Sequence, residues 1–486
     1  MKRIGIHVVA YNAADTLAHV LDRIPRDFAA RISDVLVFDD HSDDSTYLIG
    51  LGYQQTSDLP LHVFRNDFNR GYGGNQKAGY RWAIDNGLDI VVLLHGDGQY
   101  APEILPDMVA ALERDEADAV YGSRMMVAGA ARRGGMPLYK FVGNKILSKI
   151  QNTAAGSEFS EWHSGYRAYS VAALRDIPFE SNSDGFDFDT QITLALLEAG
   201  KRIIEIPIPT YYGDEISRVN GLGYARDVVS HVMRYRAHKI GFGTGERAFA
   251  SQEYELKQGS DSSHQQIARW LATPKPLRLL DLGCSSGLLA AQLRSLGHTV
   301  VGVDIEELEG VRDRVDEFVR ADLSRGIPRE AGNDFDVVLA ADVLEHVPQP
   351  EILLRDAARV LRSGGSMIAC VPNIGHWYPR ARIAAGRFTY ERRGILDRGH
   401  LRFFTKRSFA SLARESGFNI GRFAAVGVPF EALDRGGSGH RTGGGAALRF
   451  AAAIDRVATK VWPTMFGYQM LFELRSTANA AGTPRP

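Results

Sequence analysis

Two separate sets of residues in this 486-residue chain could do chemistry, one in each half of the sequence. The second is Asp281-Leu282-Gly283-Cys284-Ser285-Ser286-Gly287. Its glycines allow backbone amides to approach a ligand, and the helix that would start there favours a carboxylate. The spacing is Gly-x-x-x-Gly, not the Gly-x-Gly-x-x-Gly of dinucleotide sites. Asp304 lies 304 − 281 = 23 residues on, where an acidic group can take two ribose hydroxyls. Asp322 is placed to meet an adenine, and Asp342-Val343-Leu344-Glu345-His346 follows a fourth strand.

The first set is spread over residues 10–191. Tyr11 follows an apolar run and can stack on a base, and Asp39-Asp40 ends a second run where carboxylates can accept from a base or ribose. Asn69-Arg70-Gly71-Tyr72-Gly73-Gly74-Asn75-Gln76-Lys77 offers close backbone approach, with Lys77 able to face a diphosphate. In His95-Gly96-Asp97-Gly98-Gln99, an extended backbone would point Asp97 and Gln99 to one side as oxygen ligands. They suit Mg²⁺ or Mn²⁺ bridging a diphosphate, with leaving-group charge neutralisation as the metal's role. Arg124 adds a cation near the strand ends.

These residues need strand ends to hold them. Short β-branched runs at Ile4–Val9, Val35–Phe38, Leu61–Phe64, Ile90–Leu94, Ala119–Tyr121 and Ile203–Ile206 alternate with helical patterns such as Thr16–Arg23 and Leu105–Arg114. That is the pattern of α/β units around a mostly parallel sheet. The alternation restarts at Arg278–Leu282, Val300–Val303, Val337–Leu339 and Met367–Val371, with a last strand at Tyr468–Leu474. The expected division is a first domain over 1–240, a polar linker over 241–262, a second domain over 263–476 and a disordered tail over 477–486. Phe430–Thr464 reads as a cap, part loop and part helix.

Net charge is −1 and apolar residues make up 44%, which is ordinary for a globular chain and argues against a nucleic-acid coat. Two cysteines without metal spacing favour a reducing compartment. No run approaches the roughly 18 apolar residues of a spanning helix. A cytoplasmic location is expected, with room for peripheral contact at the inner face of the membrane. The stripe Ala225, Val228, Val229 and Val232 in Tyr224–Lys239, flanked by Arg and Lys, reads equally as a membrane-surface helix and as a core-facing one. The basic residues between Arg380 and Arg407 could meet an anionic glycan, a lipid phosphate or a membrane.

In their order, the motifs of residues 1–240 resemble inverting family 2 glycosyltransferases with a GT-A fold, of the dolichol-phosphate mannosyltransferase-like type. The resemblance implies that Tyr11, Asp39 and Asp40 contact the nucleoside of a UDP- or GDP-sugar, and that Asp97 and Gln99 hold the divalent cation. Ser164-Gly165-Tyr166-Arg167 matches the family's SGFR segment, placing Arg167 near acceptor and diphosphate. Phe186–Gln191 matches its later acidic helix, and with the spacing makes Asp187 and Asp189 candidate bases, with His163 a further one. The chain departs from the family at Ala10, Ala13, His95 and Gln191, where proline, glutamate, aspartate and glutamate are usual.

Residues 253–475 resemble class I S-adenosylmethionine-dependent methyltransferases with a Rossmann-like fold. The resemblance implies that Asp281, Gly283, Gly287, Asp304, Asp322 and Asp342 bind the cofactor. Among candidate bases or substrate binders, His400 ranks ahead of His376 and His346. The whole then reads as a bifunctional enzyme that transfers a sugar to a glycan or lipid-linked acceptor and methylates a hydroxyl, on the same glycan. Two alternatives stand beside it: a polyprenyl-phosphate sugar synthase with an independent methyltransferase, and a methyltransferase with a degenerate sugar-binding domain.

Overall fold

A computed structural model describes residues 2–211, 221–243, 262–391, 393–430 and 446–477. The expected loop over 435–445, Tyr254, and nearly all of the expected linker and tail lie outside the described residues. The chain falls into two compact units, the first running through Ala237 and the second beginning at His238.

The first unit is built on a seven-stranded sheet: β1 (Ile4–Ala10), β2 (Ile32–Asp39), β3 (Leu61–Arg65), β4 (Ile90–His95), β5 (Ala119–Ser123), β6 (Arg167–Ser170) and β7 (Ile203–Pro207). Its order is β3-β2-β1-β4-β6-β5-β7. The inner strands β1 and β4 are apolar on both faces because helices cover both, as parallel strands require. The helix Leu105–Glu113 shows how: it buries Leu105, Met108, Val109 and Leu112, at the spacing of one helical face.

The sequence pattern missed β6, and the sheet is mixed because of it. Arg-Ala-Tyr-Ser has no run to betray a strand, yet it lies antiparallel between β4 and β5. The pairing partners create this strand, not its own propensity. Its insertion brings Ser164 and Gly165 beside the end of β4.

The second unit has the strands β8 (Arg278–Leu282), β9 (Thr299–Asp304), β10 (Glu317–Arg320), β11 (Phe335–Ala341), β12 (Leu361–Pro372), β13 (Phe418–Val426) and β14 (Gln469–Ser476). Their order is β10-β9-β8-β11-β12-β14-β13, and β14 runs antiparallel to both neighbours. In each sheet the order of the parallel strands reverses beside the first strand, between β1 and β4 and between β8 and β11. Crevices at such reversals, outside the carboxyl ends of the strands, are where open α/β sheets hold ligands.

The stripe of Tyr224–Lys239 resolves to the inward reading. Val228, Val232 and Tyr235 are buried, and Val232 and Tyr235 share an apolar cluster with Trp162 and Leu194. It is not a membrane face. Within the expected cap, helices occupy Ala446–Val461 and Pro463–Phe466. No described helix is long and apolar enough to cross a membrane.

Candidate active sites

In the first unit the sheet register sets Ala10 beside Asp39, Asp39 beside Arg65, and Val9 beside His95. The ends of β1 to β4 therefore form one rim. Tyr11 stands on it, partly exposed. Asn12 follows with φ 50, its amide donating to Ser42 Oγ at 2.8 Å and its Oδ1 accepting from the Asp43 amide at 2.9 Å. These bonds clamp the loop after β1 to the loop after β2.

The two carboxylates of Asp39-Asp40 differ in what they have left to offer. Asp39 is wholly buried; it accepts from the amide and hydroxyl of Ser42 and pairs with Arg65 at 3.4 Å. Its place is at the floor of the rim, where both oxygens already have protein partners. Asp40 Oδ1 accepts from Asn66 Nδ2 and the Arg70 amide, both at 2.8 Å, and Oδ2 from the Gly71 amide at 3.0 Å. One acceptor position remains on Oδ2 by the count of lone pairs.

His95-Gly96-Asp97-Gly98-Gln99 is a turn, not the extended segment expected, because Gly98 takes φ 79. The Asp97 carboxylate accepts from the Gln99 amide at 3.0 Å and remains exposed. The donor set fits a hard divalent cation that draws most of its oxygens from a diphosphate. His95 does something different. Its Nε2 lies 3.2 Å from the Tyr72 hydroxyl, which donates to Asp189 Oδ2 at 3.1 Å, and Asp189 Oδ1 accepts from Gln76 at 3.2 Å. Burial lowers the basicity of His95. Asp189 is thus linked through Tyr72 to His95, at the start of the Asp97 turn, a connection that the sequence did not disclose.

The remaining expected residues divide. Asp187 caps the helix Phe188–Glu198; burial opposes its ionisation, but bonds from His231 at 2.8 Å and Ser183 at 2.7 Å outweigh it, and its acidity is raised. Arg124 is gripped by Glu161, a fully buried carboxylate also held by Asn144 at 2.7 Å. Burial makes His163 a very weak base, near 4, and its Nδ1 meets the Tyr224 hydroxyl at 2.8 Å.

Two cations expected at the ligand have partners within the protein. Lys77 is buried in the helix Gly71–Asp85, bound to the Asn182 carbonyl and to Asp184 at 2.8 Å. Arg167 is buried under the Tyr121 ring and donates to the carbonyls of Ser164, Asp189 and Trp162. Both side chains are engaged inside the fold. The signal for Glu161 was present in the sequence: with Glu158 it ends a long stretch without acidic residues.

In the second unit Gly283 takes φ 68, and a Cβ there would stand 2.6 Å from Val343 Cγ2, so the first turn tolerates only glycine. Asp304 Oδ2 accepts from the Ser285 amide at 2.8 Å and fixes the loop. Asp281 is buried with Oδ2 lacking a hydrogen-bond partner. Burial, with Asp304 adding to it, pushes Asp281 up to about 7. An orphaned buried carboxylate behind a glycine cradle fits a cationic ligand such as S-adenosylmethionine. Asp322 caps its own turn through the Ser324 amide at 2.9 Å. Asp342, at φ 58, accepts from Gln469 at 2.5 Å.

The three histidines also separate. His376 Nδ1 accepts from the Tyr378 amide at 3.2 Å, so its proton sits on Nε2 and it offers no base there. His400 Nδ1 faces the Ile395 carbonyl at 3.2 Å and His346 Nδ1 the Gly399 carbonyl at 3.0 Å. A carbonyl only accepts, so both carry the proton on Nδ1 and present a bare Nε2.

Comparison with known proteins gives two family matches, glycosyl transferase family 2 over residues 5–177 and a methyltransferase domain over residues 254–421. The chain is 32% identical over 236 residues to an undecaprenyl-phosphate mannosyltransferase of Micrococcus luteus, covering 48% of this chain and 93% of that one. It is 26% identical over 222 residues to a UDP-N-acetylglucosamine–dolichyl-phosphate N-acetylglucosaminyltransferase of Methanococcus voltae, covering 43% and 86%. It is 40% identical over 112 residues to a ubiquinone biosynthesis O-methyltransferase of Azorhizobium caulinodans, covering 22% of this chain and 44% of that one.

Proposed function

The chain belongs to glycosyl transferase family 2 and carries a methyltransferase domain behind that part, and on this premise we propose that it transfers a sugar from a nucleotide-diphosphate sugar to a polyprenyl phosphate and methylates a hydroxyl. The observation that carries the acceptor is a surface. Between Asp118 and Glu158 the chain has no acidic residue, while Arg132, Arg133, Lys140, Lys145 and Lys149 supply positive charge. The helix Leu138–Ala155 in that stretch exposes Leu138, Tyr139, Val142, Ile146 and Ile150, with Tyr139 at 73%. Apolar side chains among cations, in a stretch of sequence without acidic residues, suit an anionic membrane. The same helix leans on the site, since Asn144 holds Glu161 and Gln151 donates to Thr190 beside Asp189. Two relatives named for lipid-phosphate acceptors support the reading.

A lipid phosphate arrives ionised, so no strong base is needed, which accords with Asp187 and Asp189 being committed to other partners. Tyr11 and the open position on Asp40 would hold the nucleoside, and Asp97 with Gln99 the divalent cation. That cation, when bound, would neutralise charge on the departing diphosphate. Inversion at the sugar follows from a single displacement. In the second unit Gly283, Asp281 and Asp304 would hold S-adenosylmethionine, which supplies an activated methyl group when bound. His400, its bare Nε2 fixed by Ile395, stands ready for the acceptor hydroxyl. The protein would work at the inner face of the membrane, with methylation falling on the transferred sugar or its glycan; sharing one chain raises the local concentration of that intermediate at the second site.

The test is sedimentation with vesicles containing anionic lipid and polyprenyl phosphate, beside sugar transfer from GDP- and UDP-sugars. At about 1 kcal/mol per cation, a Lys140→Gln/Lys145→Gln/Lys149→Gln protein should bind vesicles on the order of 100-fold more weakly and lose transfer with them. Equal binding, or transfer only to a soluble glycan, would overturn the lipid-acceptor reading.

A further inference from the structure

The strongest unassigned cluster in the molecule is Glu345, His346 and His400. Each offers one ligand atom, and these atoms lie within 4.8 Å of one another. Glu345 and His400 are buried, while His346 is exposed. The imidazole rings stand edge to face at 4.8 Å. Glu345 and His346 belong to a tight turn after β11, closed by the bond from the His346 amide to the Val343 carbonyl at 3.0 Å. The Leu401 and Arg402 amides donate to the Glu345 carbonyl at 2.8 and 3.0 Å, which ties the His400 segment to that turn.

The arrangement is that of a prepared metal site. Metal-binding histidines characteristically donate their second ring N–H to a backbone carbonyl, which fixes tautomer and orientation. Both histidines do so here, to Gly399 and Ile395. Two independent carbonyls thus turn two Nε2 lone pairs outward on the same patch. Atoms sharing one ion at about 2.1 Å stand about 3.4 Å apart, so modest rotation of the side chains closes the set. Two neutral imidazoles and one carboxylate, with further positions open, select a borderline divalent ion such as Zn²⁺, Mn²⁺ or Fe²⁺ over Ca²⁺.

The location gives the set a use. Val343, two residues from Glu345, is the side chain against which the Gly283 turn packs. The cluster therefore borders the crevice proposed for the methyl donor. We propose that Glu345, His346 and His400 bind a divalent cation that takes the hydroxyl to be methylated as a further ligand, so that His400 acts as a ligand and not as a lone base. This rests on the methyltransferase reading above. A metal-bound hydroxyl gives up its proton to solvent more readily; the resulting oxygen forms its bond to the methyl carbon as the donor's sulfur–carbon bond breaks. Substrates with a second oxygen beside the reacting one, as in a vicinal diol, would bind best because they can chelate.

The experiment uses the full chain, stripped with a chelator and titrated with Co²⁺ while visible absorption is followed. The Asp97→Asn protein removes the metal turn of the first unit from the count. It should still take up one Co²⁺ with absorption bands of imidazole ligation. Adding His346→Gln, an exposed and readily tolerated change, should weaken that uptake by about 100-fold or more. His400→Gln should do the same, and His346→Gln carries the test if the buried change lowers the melting point. Failure of Asp97→Asn to bind Co²⁺ below millimolar concentration, or unchanged binding after His346→Gln, would overturn the site. Calorimetry with S-adenosylmethionine on the same proteins separates the outcomes, because loss of donor binding in the unaltered chain would instead refute the methyltransferase reading.

Discussion

Asp281 makes the methyl-donor site a proton-linked one. Its carboxyl is wholly buried, one oxygen lacks a partner, and burial together with Asp304 pushes it up to about 7. The empty fold therefore holds it largely protonated at pH 6. S-adenosylmethionine brings a sulfonium and an ammonium, both cations, and their approach favours the carboxylate. If the bound state is ionised, the free protein must give up a proton, and affinity is divided by 1 + 10^(7 − pH). That factor is about 11 at pH 6 and about 1.1 at pH 8. Donor affinity should thus rise about 10-fold, or about 1.4 kcal/mol, between those values. Calorimetry at pH 6 in buffers of different ionisation enthalpy should find about 0.9 proton released per donor through this group. The comparison is Asp281→Asn, a neutral isostere that mimics the low-pH state: it should fold, bind weakly, and lose that part of the pH dependence and proton release. The stability of the donor-free fold changes in the opposite direction. A carboxyl raised in the fold contributes most below the unfolded range near 3.8, and that contribution is lost as pH climbs toward 7. Asp281→Asn binding as tightly as the unaltered protein at pH 8, or keeping its pH slope, would refute the reasoning.

Two further outcomes follow from the first unit. Asp40→Ala leaves the Asn66 side-chain amide and the Arg70 backbone amide without their acceptor, while the Gly71 amide keeps Asn69 Oδ1 at 2.9 Å; at about 1–3 kcal/mol per unsatisfied group, less than additive, the transition of this unit should fall by roughly 4–12 °C in a thermal scan. A nucleotide-binding loss with no change in melting would instead make Asp40 a ligand contact alone. Glu161→Ala strips a buried partner from Arg124 and Asn144; a cost of about 3–5 kcal/mol is expected by denaturant unfolding, and Glu161→Gln should recover part of it. An unchanged midpoint for Glu161→Ala would mean that the pair does not hold the end of β5.

The sequence by itself determined both folds and where their ligands should collect. The run Ile90–Leu94 is apolar on both faces, as an interior strand covered on both sides requires. The glycine turn at Gly283–Gly287 was legible because positive φ and lack of room leave no other residue type. Which polar groups face a ligand was not legible, because that depends on who else can reach them. Asp39 and Asp40 are identical in type and adjacent in sequence, yet Ser42 and Arg65 use up the first while the second keeps an open position. Lys77 and Arg167 read as phosphate-facing cations but meet carbonyls and an acidic partner inside the fold. β6 exists because β4 and β5 leave a gap between them. The pairing of His346 with His400 required a chain reversal that joins residues over 50 positions apart. Local pattern reports what a residue prefers against solvent, and only the packed chain decides what it bonds to instead.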